Sequence, residues 1–109
     1  MLKKISLKQA ANAIEKLYDY NKIGSLNGHI LNVVNVENRT LDFHVHEESD
    51  ELFYVIEGRF FLETDEEKIE VCKGELIIVP KGTRHRPIVM ELSMFLLIQL
   101  DETFNKKNK

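Results

Sequence analysis

Four histidines stand at positions 29, 44, 46 and 85 of the 109-residue chain. Two of them are separated by one residue in the run Leu41-Asp42-Phe43-His44-Val45-His46. Residues i and i+2 of a strand share a face, so His44 and His46 present their imidazoles side by side while Leu41, Phe43 and Val45 point the other way. Glu51 opens the run ELFYVIEG after the polar connection Glu47-Glu48-Ser49-Asp50. An antiparallel return would bring its carboxylate back beside the two rings. His85 follows the turn Pro80-Lys81-Gly82, which makes a further nitrogen ligand available. His29 has no such surroundings and reads as an ordinary strand residue. Cys72 reads as a packed strand residue.

These side chains must be positioned by short elements. Leu7, Ala10, Ala11, Ile14, Leu17 and Tyr18 recur at helical intervals, which predicts one amphipathic helix. Ser6 caps it, Gln9 completes a capping-box pattern, and Gly24 within the stretch Asn21 to Asn27 supplies the exit. After Gly28 the period changes. HILNVVNV, RTLDFHVH, ELFYVI, RFFLET, KIEVC, ELIIV, RPIVM and SMFLLIQL are short runs rich in β-branched and aromatic residues. The turn signals between them are closely spaced, so neighbouring strands should be antiparallel. The fold class is all-β: a barrel or jelly roll preceded by one N-terminal helix. The expected divisions are residues 1–27 for the helix and linker, 28–101 for the barrel and 102–109 for a fraying tail.

Composition narrows the partners. Fifteen Lys and Arg face eighteen Asp and Glu, for a formal net charge of −3. That is no global basic field, and nucleic acid is not expected as a partner. No apolar stretch reaches the length of a membrane span, so no membrane association is expected. A single cysteine forms no internal disulfide, which fits a cytoplasmic protein.

The combined spacing resembles the cupins. Their first motif runs G, five residues, H-x-H, three or four residues, E, six residues, G. Here His44-Val45-His46 is followed by four residues, Glu51, six residues and Gly58, and Asn38 occupies the place of the first glycine. Asn38 also tolerates a positive φ. The second motif runs G, five residues, P-x-G, two residues, H, three residues, N. It is matched by Gly74, Pro80-Lys81-Gly82 and His85, with Val89 where the asparagine would stand. Fifteen residues separate the two motifs, as in compact single-domain cupins.

The resemblance implies a double-stranded β-helix, or jelly-roll barrel, in which His44, His46, Glu51 and His85 bind one divalent transition metal per chain: Fe, Mn, Zn or Ni. Such a ligand set leaves two positions free in an octahedron. A metal-dependent enzyme of oxygenase, isomerase or lyase type is then expected, acting on a small polar or anionic molecule. A non-catalytic binding or sensing module is the alternative. Lys81 and Arg84, among the cations around His85, and Gln99, in the otherwise apolar run MFLLIQL, are the candidate substrate contacts. If His44, His46 and Glu51 point inward, Leu41, Phe43, Val45, Leu52, Tyr54 and Ile56 point outward. So large an apolar face predicts a homodimer.

Overall fold

A computed structural model describes residues 1–101. The expected tail, 102–109, lies outside the described residues. One helix, α1 (Leu7–Asn12), precedes nine strands: β1 (Asn21–Leu26), β2 (His29–Val36), β3 (Arg39–Thr40), β4 (Glu51–Glu57), β5 (Arg59–Thr64), β6 (Lys68–Cys72), β7 (Leu76–Val79), β8 (His85–Val89) and β9 (Ser93–Leu100). They form two antiparallel sheets, a five-stranded one in the order β1-β2-β9-β4-β7 and a four-stranded one in the order β3-β8-β5-β6. The fold is all-β with one short N-terminal helix.

The core lies between the sheets because their inward residues alternate with outward ones. Val34, Phe53, Val55, Phe60, Leu62, Phe95 and Leu97 form one buried cluster. Phe60 stands at its centre, with ring centroids 5.3 Å from Phe53 and 5.1 Å from Phe95. Tilted and edge-on pairs of this kind add about 1 kcal/mol each to burial alone. A second cluster of Ala11, Val33 and Ile56 lies on the outer face of the five-stranded sheet, under α1.

Three segments depart from the sequence expectation. The helix ends at Asn12 instead of running on to Tyr18, although Ser6 caps it as expected, its Oγ accepting from the Gln9 amide at 3.2 Å. Beyond it Ile14 still packs on the second cluster, but Tyr18 adopts a left-handed φ of 69° and donates its amide to the Asn35 carbonyl at 2.8 Å. The stretch 21–27, read as an exit, contains β1, which pairs with β2 from Asn21↔Val33 to Leu26↔His29. In RTLDFHVH only Arg39 and Thr40 form a strand, paired with Val89 and Ile88. The rest is irregular and meets β8 through the antiparallel bridge His44↔His85 and a bond from the Leu41 amide to the Pro87 carbonyl at 3.2 Å.

That irregularity also revises the outward face. Leu41 lines the interior cavity, and Tyr54 and Ile56 belong to the cluster under α1. Phe43 lies beneath two guanidinium groups, Arg84 at 4.1 Å and Arg86 at 4.5 Å from its ring centroid.

Gly58 shows why the first motif closes on glycine. It turns β4 into β5 with φ 88°, and a Cβ placed there would stand 2.3 Å from Ser93 Oγ. Ser93 is fully buried, accepts from the Arg59 amide at 3.1 Å and lies 2.9 Å from the carbonyls of Arg59 and Glu91. A side chain at Gly58 would displace that knot.

Candidate metal centre

Glu51 begins β4 on its inward side, opposite Gln99 of β9 and Val79 of β7. His85 begins β8 and is opposite Thr64 of β5. Both are buried, at 7% and 1% exposure. His44 and His46 come from the irregular segment and are half-buried. Backbone bonds hold that segment in place. The His44 amide donates to the His85 carbonyl at 2.9 Å, and the His85 amide returns the bond to the His44 carbonyl at 3.0 Å. The turn of the second motif grips the other end: the Gly82 amide donates to the His46 carbonyl at 2.8 Å, and the Lys81 amide to Asp50 Oδ1 at 2.9 Å.

The four side chains meet at one point. One nitrogen or oxygen from each of His44, His46, Glu51 and His85 lies within 4.8 Å of all the others. His44 Nδ1 stands 2.9 Å from the Asp42 carbonyl, and His85 Nδ1 stands 2.8 Å from the Thr83 carbonyl. A carbonyl only accepts, so each Nδ1 donates there; in the neutral rings this leaves the Nε2 lone pair for a ligand, whereas a protonated His85 donates its Nε2 proton to Glu51. Orientation of a ring by such a bond is the usual outer support of a metal-ligating histidine. Glu51 Oε1 lies 3.2 Å from His85 Nε2 and 3.5 Å from His46 Nε2. Burial lowers the His85 pKa, yet its hydrogen bonds to Glu51 and to the Thr83 carbonyl outweigh that and hold it above the ordinary value. Three imidazoles and a carboxylate suit a borderline first-row divalent ion. The donor set therefore fits a metal, and the cluster can hold one.

With His85 buried behind them, His44, His46 and Glu51 line a cavity of about 360 Å³. Its sides are mostly apolar, including Val34, Phe53, Phe60, Phe95 and Leu97, and its polar lining adds Tyr18, Tyr20, Arg39 and Gln99. Of the candidate substrate contacts, Gln99 lines this cavity. Lys81 and Arg84 do not. The Arg84 guanidinium pairs with Asp65 and covers Phe43, and Lys81 meets Asp50 through its backbone. His29, half-buried at the start of β2, stands outside the cluster, its Nδ1 3.3 Å from the Asn27 carbonyl. Tyr20 and Arg39 were not singled out in the sequence, and Tyr18 was read only as part of the helical stripe.

The model of the cupin domain family matches residues 33–97, which contain all four clustered side chains. The chain is a cupin. Among solved structures it is similar to a cupin-2 domain protein of Shewanella frigidimarina, with TM-score 0.83 and 25% identity over 89% of this chain and 94% of that one. It is 32% identical to YdbB of Bacillus subtilis over 79% of this chain and 76% of that protein. It is 43% identical to MJ1618 of Methanocaldococcus jannaschii over 54 residues, half of this chain and 42% of that protein. Asn38, where the cupin motif begins with glycine, adopts φ 48°, so asparagine performs the left-handed turn here. No described helix of this cupin is long and apolar enough to cross a membrane.

Proposed function

We propose that this cupin is a non-haem, metal-dependent enzyme that acts on a small polar or anionic molecule. His44, His46, Glu51 and His85 would bind one iron, manganese, zinc or nickel ion. The observation that carries the reading is the convergence of four ligand atoms within 4.8 Å of one another, three of whose residues, His44, His46 and Glu51, line a largely apolar cavity. A bound ion contributes Lewis acidity there, toward dioxygen, water or a substrate carbonyl. The chain's own side chains orient and enclose. Gln99 is the register partner of Glu51, and both it and Glu51 line the cavity, so its amide is available to a ligand at the cluster. The apolar walls exclude bulk water, which strengthens every polar contact inside.

The test is elemental analysis of protein purified without chelator, followed by dioxygen-uptake and sugar-isomerisation screens of wild type and His46→Ala. About one metal per chain and turnover that the variant lacks are expected. Full metal occupancy in a His44→Ala, His46→Ala double variant would refute the ligand set. Ligand binding without turnover would favour a sensing module over an enzyme.

We also infer a cytoplasmic homodimer. The single cysteine, Cys72, supports a reducing compartment. On the outer face of the five-stranded sheet, Leu31, Ile98, Leu52 and Ile78 are register neighbours in one apolar row that α1 leaves uncovered. Ile78 is 55% exposed and the adjacent Leu76 is 54% exposed. A second copy of the chain is the occupant that the row supports. Sedimentation of wild type as a dimer, and of Ile78→Asp as a monomer, is expected. A monomeric wild type would end this reading.

A further inference from the structure

We propose that Arg39 is the anion anchor of the cavity, and that the molecule bound there is a small carboxylate with an apolar body whose other end reaches the metal-ligating cluster. This inference rests on the functional reading above and names its substrate class. Four arginines occur in the sequence. Three are neutralised: Arg59 by Glu70 and Glu91, Arg84 by Asp65 and Arg86 by Glu63. Arg39 makes no ion pair among the described residues, and it alone of the four lines the cavity. An arginine without a carboxylate at the wall of a site is suited to the bidentate recognition of one that arrives with a ligand.

Arg39 is also held in place. Its guanidinium lies 4.7 Å from the centroid of the Tyr18 ring. That ring is fixed at both ends, its hydroxyl donating to the Glu37 carbonyl and its own backbone amide to Asn35. The left-handed Tyr18 thus serves as the platform for Arg39. Tyr20 stands within electrostatic reach of both charges of the cavity. Loss of solvent and the Glu51 carboxylate push its phenol above the ordinary value, while Arg39 pulls it down. Tyr20 lines the same cavity as Glu51 and Arg39.

Size and polarity set the class. The volume of about 360 Å³ equals about a dozen waters. Much of the lining is carbon, including Val34, Val36, Leu41, Phe60 and Phe95. Among the described residues the lining offers one guanidinium, whose planar fork matches one carboxylate.

The experiment uses hexanoate and benzoate as probes, with hexanamide and benzamide as neutral isosteres. Calorimetric titrations are run on metal-loaded and metal-free wild type, Arg39→Gln, Arg39→Lys and Arg84→Gln. Wild type should bind each acid about tenfold more tightly than its amide, the scale of one charge-assisted hydrogen bond. The preference should vanish in Arg39→Gln, survive in part in Arg39→Lys and persist in Arg84→Gln, with melting temperature and metal content unchanged by either Arg39 substitution. Equal binding of acids and amides by wild type, binding of neither, a preference that persists in Arg39→Gln, or one lost in Arg84→Gln instead would overturn the assignment. The metal measurement separates the two readings. A wild type that takes up no metal but keeps an Arg39-dependent preference refutes the metal centre alone, and a metal-loaded protein without the preference refutes the anchor alone.

Discussion

The two halves of the candidate metal cluster are built differently. Glu51 and His85 stand on strands and are almost wholly buried, their rings and carboxylate fixed by sheet register. His44 and His46 stand on an irregular segment joined to the sheet by the His44↔His85 bridge and a bond from the Leu41 amide to the Pro87 carbonyl, and the His46 side chain is 31% exposed. The first pair is part of the protein's core, whereas the second closes over it from the side. In the metal-free protein, fold and site should therefore separate: the strand pair contributes to stability, and the segment pair contributes to little but ligation.

The largest expected effect tests that separation. In metal-free protein, Glu51→Ala should lower unfolding free energy in urea by about 3 kcal/mol, because it strands a buried histidine without its partner. His46→Ala should cost less than about 1 kcal/mol, as peripheral substitutions usually do. Both should abolish metal retention. Equal costs in the two variants would erase the distinction between the halves.

Next in size is the turn that starts the rigid half's hairpin. Gly58→Ala should cost about 2 kcal/mol, since it combines a positive φ with a clash against Ser93. Gly74→Ala shares the positive φ but meets nothing within 4 Å, and should cost about 1 kcal/mol. Thermal unfolding of the two variants checks the order. Identical melting temperatures would mean that Ser93 yields freely.

The smallest effect is that of pH, and it has opposite signs for the two states. His85 has a folded pKa above its ordinary value of 6.5. Its protonated pairing with Glu51 thus stabilises the metal-free protein fully below the unfolded value, and that contribution is lost as pH rises through the folded one. Metal ligation requires the neutral ring, so apparent affinity should fall by up to about tenfold per pH unit as pH drops, beginning above 6.5. Parallel urea and metal titrations between about pH 8 and about pH 6 measure both. If Glu51→Gln keeps the same pH dependence of metal-free stability, the Glu51–His85 pair is not its source.

The sequence was legible where side chains alternate. HILNVVNV, RFFLET, KIEVC and SMFLLIQL coincide with β2, β5, β6 and β9, because their β-branched and aromatic residues pack on the core between the sheets and, for β2 and β9, also under α1. β1 was hidden because NKIGSL is an edge strand with exposed ends and a glycine, so no alternation marks it. The helix was overextended because Ile14 continues its apolar stripe without continuing its hydrogen bonds. The four metal-ligating candidates were legible because their spacing is set by the turns between them. Arg39 was not, and the reason is electrostatic. The cations around His85 drew attention as a local cluster, but Asp65 and Glu63, remote in sequence, neutralise Arg84 and Arg86 in space. Only the folded chain reveals which arginine is left over.

The His44↔His85 bridge has a kinetic consequence. Each residue's amide proton is bonded to the other's carbonyl, so neither exchanges with solvent until the mouth of the barrel parts. The bridge joins segments far apart along the chain, and contacts of that kind are slow to form. The two motifs of the sequence therefore meet late in folding, and deuterium uptake at His44 and His85 is a clock for the moment at which a polypeptide becomes a site.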